Sequence, residues 1–146
     1  MVINQGTDYA FRIVFFLAKH KHRIVEAIEI SSREEIPERF LFKIMRSLVK
    51  AGIVKSYRGK NGGFTLGREP KDITLNDVLE AIEGPVTVNA CLRDASKCTK
   101  DASGYCVIHR RLAQLRWDIV EKLKAVDFET LVKEERILLE GLMKGR

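Results

Sequence analysis

No stretch of this chain reaches the roughly 18 consecutive apolar residues of a membrane span. The opening Met1-Val2-Ile3-Asn4-Gln5-Gly6 lacks the charged and then apolar order of a secretory signal. The expectation is a cytoplasmic protein with no membrane partner. There is no internal repeat and no low-complexity tract, so 146 residues make one domain, or one domain with an arm. No phosphate-binding loop, nucleophile triad or His-Glu-x-x-His pair occurs, which argues against an enzyme and against a small-molecule substrate. Cysteine is scarce. There are three, an odd number that argues against a disulfide framework. In a reducing compartment, clustered thiols point to metal or redox chemistry instead.

Acidic residues are also missing from one place. Between Arg39 and Arg68 there are none, against eight basic ones: Arg39, Lys43, Arg46, Lys50, Lys55, Arg58, Lys60 and Arg68. Residues 1–70 hold 13 Lys and Arg against 7 Asp and Glu, which is the whole net charge of +6. Residues 71–146 balance at 13 against 13. A one-sided segment of this kind is the footprint of a phosphate-backbone binder, and also of a merely solvated basic face.

The apolar pattern says what carries the charge. Thr7 can cap a helix over 8–19, with Ala10, Ile13, Val14, Leu17 and Ala18 as a stripe. His20 and His22 then fall in a polar turn, as ligands or as exposed turn residues. Residues 25–32 read as a short helix with Ala27, Ile28 and Ile30 inward. After a tight turn, Pro37 and Glu38 open a longer helix that stops at Gly52. Its apolar face is Phe40, Leu41, Ile44, Leu48 and Met45; Arg39, Lys43, Arg46 and Lys50 recur on another face. A short helix, a turn and a basic helix make a helix-turn-helix. Strands at 53–57 and 64–66 flank Arg58-Gly59-Lys60-Asn61-Gly62-Gly63, whose glycines permit a hairpin tip. Placed after a recognition helix, this hairpin reads as a wing that can offer Arg58 to a minor groove.

Thr74 and Asp77 form a capping box for a helix over 75–83. Every cysteine lies in the loop that follows: Cys91, Cys98 and Cys106, with His109 three residues beyond. The residues between them are mostly small or polar and offer little to a core. Thiolates bind soft metals and iron–sulfur clusters, and imidazole can complete such a site. His109 falls one helical turn after Cys106, so both can face one centre. From about Tyr105 a long helix carries Ile108, Leu112, Leu115, Ile119 and Leu123 as a coiled-coil-like seam. The seam suits a dimer interface, or it packs on the first helix of its own chain.

Thr7-Asp8-Tyr9-Ala10, the basic helix, the run Gly52 to Leu66, Ile73-Thr74-Leu75-Asn76-Asp77-Val78 and the three-cysteine loop together resemble one family. It is the family of bacterial winged-helix regulators that includes the iron–sulfur cluster regulator IscR and the nitric-oxide-sensing repressor NsrR. The resemblance covers nearly the whole chain. It implies a mainly α fold with a small β-hairpin: a winged helix-turn-helix over 1–84, a cluster-binding loop over 85–105, and a dimerisation helix with a helical tail over 106–146. It implies a homodimer on a double-stranded DNA operator, acting as a repressor or other regulator that senses cluster status, redox state or nitric oxide. The cluster favoured is 2Fe–2S, held by Cys91, Cys98, Cys106 and His109. The alternative is 4Fe–4S, completed by Asp8 of the partner subunit; the reading favoured for Asp8 is a helix-dipole partner near Thr7. The cysteine gaps of six and seven residues exceed those typical of these members, and a loop absorbs extra residues cheaply. For DNA the resemblance points to Arg39, Phe40 and Lys43 on the recognition helix and to Arg58 in the wing. Arg46 on the same basic face, and Gly59 and Lys60 at the wing tip, complete the expected contacts. A cluster-free repressor controlled by a partner protein or by thiol oxidation is the other regulator that fits.

Overall fold

The computed structural model describes residues 2–145. The helices are α1 (Gln5–Lys19), α2 (Ala27–Glu34), α3 (Glu38–Lys50), α4 (Leu75–Glu83), α5 (Ala90–Arg93), α6 (Val107–Lys124) and α7 (Phe128–Lys144). Strands β1 (Val54–Tyr57) and β2 (Gly63–Leu66) pair antiparallel, with Val54 opposite Leu66 and Tyr57 opposite Gly63. The protein is mainly helical with one small hairpin, as the pattern of periods predicts.

The core forms where the apolar stripes of α1, α2 and α3 meet the hairpin. Ala10, Ile13 and Val14 of α1, Ile30 of α2, and Leu41 and Leu48 of α3 are all fully shielded from solvent. Burying a valine, leucine or isoleucine side chain stabilises by roughly 1.5–3 kcal/mol each. The C-terminal segment enters the same core, because Phe128 at the head of α7 is buried among these residues. Around it, Leu75 N–H donates to Val126 O at 3.0 Å and Phe128 N–H to Ile73 O at 3.0 Å. The start of α4 is thus stitched to the junction of α6 and α7.

Four local expectations need correction. Asn4, not Thr7, caps α1: its Oδ1 accepts the Thr7 N–H at 2.9 Å. Asparagine is as good a cap as threonine, and this leaves the buried Thr7 hydroxyl free to donate to Glu83 at 2.5 Å. That bond joins the start of α1 to the end of α4. Val25 is not helical. It exchanges backbone hydrogen bonds with Phe64, N–H to O at 2.9 Å and 2.8 Å, and so adds a short third edge to the hairpin. With α2 beginning only at Ala27, Ile30 faces inward and Ile28 is turned out to 63% exposure. Phe40 does not join the apolar face of α3. It lies at the edge between faces, 42% exposed, with its ring 6.4 Å from Tyr9.

The loop after α4 is less bare than its composition suggests. It holds α5 and a single 3-10 turn at Ala95–Lys97. Both are started by side-chain caps, Asn89 accepting the Leu92 N–H and Asp94 the Ser96 N–H. α6 begins at Val107 rather than Tyr105, and Cys106 is its cap. It packs on α4 and α5, and α7 packs on α1. Ile108 and Leu115 of the seam remain well exposed, as does Trp117 elsewhere on α6. Among the described residues no helix is long and apolar enough to cross a membrane.

Candidate nucleic-acid interface and metal centre

The basic face of α3 is open to solvent along its length. Leu41, Ile44, Met45 and Leu48 bind the helix to the core, and the 3.6-residue period turns Arg39, Lys43, Arg46 and Lys50 outward. None of these four forms an ion pair with a carboxylate in the described structure. The Arg39 guanidinium lies 4.8 Å from the Phe40 ring centroid. Phe40 therefore sits beside the reading face and steadies Arg39 upon it, in a cation–π contact. Phe42, also exposed, stands on the flank of that face nearer the wing.

The wing tip follows from its glycines. Gly59 has φ +98°, a conformation that side-chain-bearing residues rarely adopt. A Cβ on Gly63 would collide with the Val25 carbonyl, where the third edge docks. Arg58, Gly59 and Lys60 are exposed at this tip. Between the wing and α3 runs a cleft bordered by Phe42, Arg46, Val49, Lys50 and Arg58.

The cysteine loop is half-built by the chain itself. Cys91 Sγ lies 3.4 Å from Nδ1 of His109, across 18 residues, and also donates to Asn89 Oδ1 at 3.4 Å. Cys98 Sγ accepts the Ala102 N–H at 3.4 Å. The Ala102 N–H, and then that of Lys100, hold its thiol below the ordinary cysteine range and favour thiolate. Cys106 Sγ accepts the His109 N–H at 3.5 Å. All three cysteines are free and half-buried. Among the described residues, no three His, Cys, Asp or Glu side chains gather into one metal-binding group. The chain brings Cys91 and His109 together, and Cys98 and Cys106 do not complete a set with them. The donors suit soft iron in kind: thiols, one inclined to thiolate, and an imidazole. Asp8 is paired with Arg12 at 2.7 Å on the surface of α1. Arg116 Nε donates to Val86 O at 2.6 Å and ties the middle of α6 to the segment entering the loop.

Sequence reasoning missed Arg116 and Val25. Neither has a local signal, since each acts on a residue 30 or more positions away. The outward turn of Phe42 had one: it lies three residues after Arg39 and four before Arg46, on the charged side of the helix.

A helix-turn-helix with an exposed basic second helix, a glycine-tipped wing and a long following helix define the winged-helix class of DNA-binding transcription regulators. Residues 3–134 match the Rrf2 family, described as an iron-dependent transcriptional regulator, and the chain belongs to that family. It is 32% identical over 135 residues to an HTH-type transcriptional regulator of Aquifex aeolicus, covering 92% of this chain and 94% of that one. The solved structure of T. potens IscR superposes with a TM-score of 0.74 at 26% identity, over 92% of this chain and 88% of that one. CymR of B. subtilis, titled the global cysteine regulator, superposes with a TM-score of 0.73 at 27% identity, over 92% and 98%. The protein is a transcription regulator and not an enzyme.

Proposed function

We propose that this regulator is a homodimer whose grip on a DNA operator is governed by an iron–sulfur cluster in the loop after α4. The single observation that carries the reading is the 3.4 Å approach of Cys91 Sγ to His109 Nδ1. It brings the first cysteine of the loop onto the first turn of α6. Cys91, Cys98, Cys106 and His109 are the residues that would hold the cluster, 2Fe–2S in the favoured form. Asp8 of the partner subunit is the alternative fourth ligand, with 4Fe–4S. When bound, the cluster supplies a centre that reacts with oxidants or nitric oxide. The chain does the rest. Cys106 and His109 lie at the first turn of α6, and Arg116 couples that helix to the loop's entry. The exposed Ile108 and Leu115 offer α6 a second copy to pack against. Arg39, Lys43, Arg46, Arg58 and Lys60 hold the operator, with Phe40 supporting Arg39 and Gly59 shaping the tip.

Anaerobic purification tests this directly. Iron, acid-labile sulfide and visible charge-transfer bands are expected, and Cys98→Ala is expected to lose them. Colourless protein that takes up no iron and sulfide on reconstitution removes the cluster.

A second reading is a cluster-free repressor switched by thiol oxidation or by a partner protein. The thiolate-favouring surroundings of Cys98 support it. A footprint from metal-free protein that changes with a thiol oxidant, and not with iron, selects this reading over the first.

A further inference from the structure

We propose that Phe42 is a specificity residue that reads the C5-methyl group of thymine in the major groove. The inference rests on the reading of α3 as the DNA-contacting helix and goes further by assigning what one side chain on it recognises.

Phe42 is 47% exposed on α3, on the side of the helix that also carries Arg39, Lys43, Arg46 and Lys50. Its neighbours on that face are Arg39, one turn before, and Arg46, one turn after. The ring has no aromatic partner among the described residues, whereas Phe40 leans on both Tyr9 and Arg39. Phe42 lines the cleft between α3 and the wing together with Met45, Val49 and Phe64, and these four give it an apolar floor. Arg46, Lys50 and Arg58 supply a cationic rim.

An occupant for that cleft must be anionic at its edges and apolar where it touches the floor. Duplex DNA has both features. Its phosphates match the rim, and among the groups that base edges show in the major groove the thymine methyl is the apolar one. A phenyl ring neither donates nor accepts in-plane hydrogen bonds, so it cannot read guanine, adenine or cytosine edges by that means. Phe42 therefore favours a T·A pair beneath it, and penalises cytosine, whose C5 carries no methyl. Arg46, one turn on, can hold the adjacent phosphate or base and fix the register.

The test begins with the full-length protein and a randomised duplex library. The enriched duplex is then remade with each thymine replaced, one at a time, by deoxyuridine, which removes only the methyl. The unaltered protein is expected to lose about fourfold in affinity at one or two positions per half-site, the worth of one buried methyl. Replacing the two symmetry-related thymines together is expected to cost about fifteenfold. Phe42→Ala is expected to bind the thymine and uracil duplexes alike, with the same dependence of affinity on salt as the unaltered protein. Phe42→Leu, which keeps an apolar side chain, is expected to retain part of the preference. Cytosine placed at the sensitive position binds poorly, and 5-methylcytosine there recovers part of the loss.

Two results overturn the assignment. One is indifference of the unaltered protein to uracil at every position, which would leave the cleft to another occupant such as an acidic peptide. The other is undiminished uracil sensitivity in Phe42→Ala. Failure to enrich any duplex would remove the DNA reading of α3 itself, and this assignment with it. The uracil scan on the unaltered protein needs no variant to fold.

Discussion

In the head, the part of the molecule built from α1, α2, α3 and the hairpin, Ile13, Val25, Leu41 and Leu48 are fully shielded and sit in one continuous apolar cluster. From residue 85 to residue 106, only Val86 and Ala102 are buried. The loop is shaped by polar contacts instead: Asn89 and Asp94 cap its two short turns, Cys98 accepts from Ala102, and Cys106 caps α6. A net hydrogen bond contributes about 0.5–1.5 kcal/mol, and a buried leucine about 1.5–3. The head keeps its geometry by burial. The loop's geometry is set by a few weak bonds and is open to revision by whatever its sulfurs bind.

Measurements can sharpen that contrast or break it. In metal-free protein, Leu48→Ala is expected to cost about 2–5 kcal/mol in chemical denaturation, the range for truncating a packed core residue. A cost under 1 kcal/mol would mean that the head is not held by burial. On the head's outer surface, Arg58→Ala is expected to weaken operator binding by about 1–3 kcal/mol, measured by fluorescence anisotropy. Its melting temperature should not move, which separates contact from folding.

Asp127 lies where α7 joins the head. Burial acts to raise its pKa, but the N–H and hydroxyl of Thr130 and the N–H of Glu129 outweigh that and hold it below the ordinary carboxylate range. A carboxyl depressed on folding contributes stability above its unfolded pKa and loses it as pH falls through the folded value. Asp127→Ala should cost about 1 kcal/mol near neutral pH, the usual worth of a cap. Asp127→Asn should keep most of the cap and flatten the acid limb of the stability curve.

The smallest effect belongs to the loop. Cys98→Ala in metal-free protein should change stability by about 0.5 kcal/mol, the low end for one net hydrogen bond, since Cys98 is half-buried and accepts the Ala102 N–H at 3.4 Å. A loss near that of Leu48→Ala would erase the difference between the two regions.

The contrast also governs what the amino-acid order made legible. Stripes at helical spacing located α1 and α3, the capping pair Thr74 and Asp77 located α4, and the glycines at 59, 62 and 63 located the wing, because those signals are local. Thr74 and Asp77 form the expected capping box. The partner of Val25 could not be read, since it lies 39 positions away at Phe64. The apolar character of Ile28 misled, because the face it takes depends on where the helix starts. In the loop, spacing explains why Cys106 and His109 meet on one turn. It does not explain why Cys91 returns to His109 over 18 residues; only the resemblance to a known family proposed that pairing.

The long helix α6 spans 18 residues, about 27 Å at 1.5 Å per residue. It is fastened near its start by His109 to Cys91 and at its middle by Arg116 to the Val86 carbonyl. Just past its other end, Val126 is fastened to Leu75. A rod clamped at both ends cannot swing like a lever. If the loop swells or shrinks, the rod has to roll about its long axis or slide, and either movement pulls on α4, whose far end is tied through Glu83 to the first turn of α1.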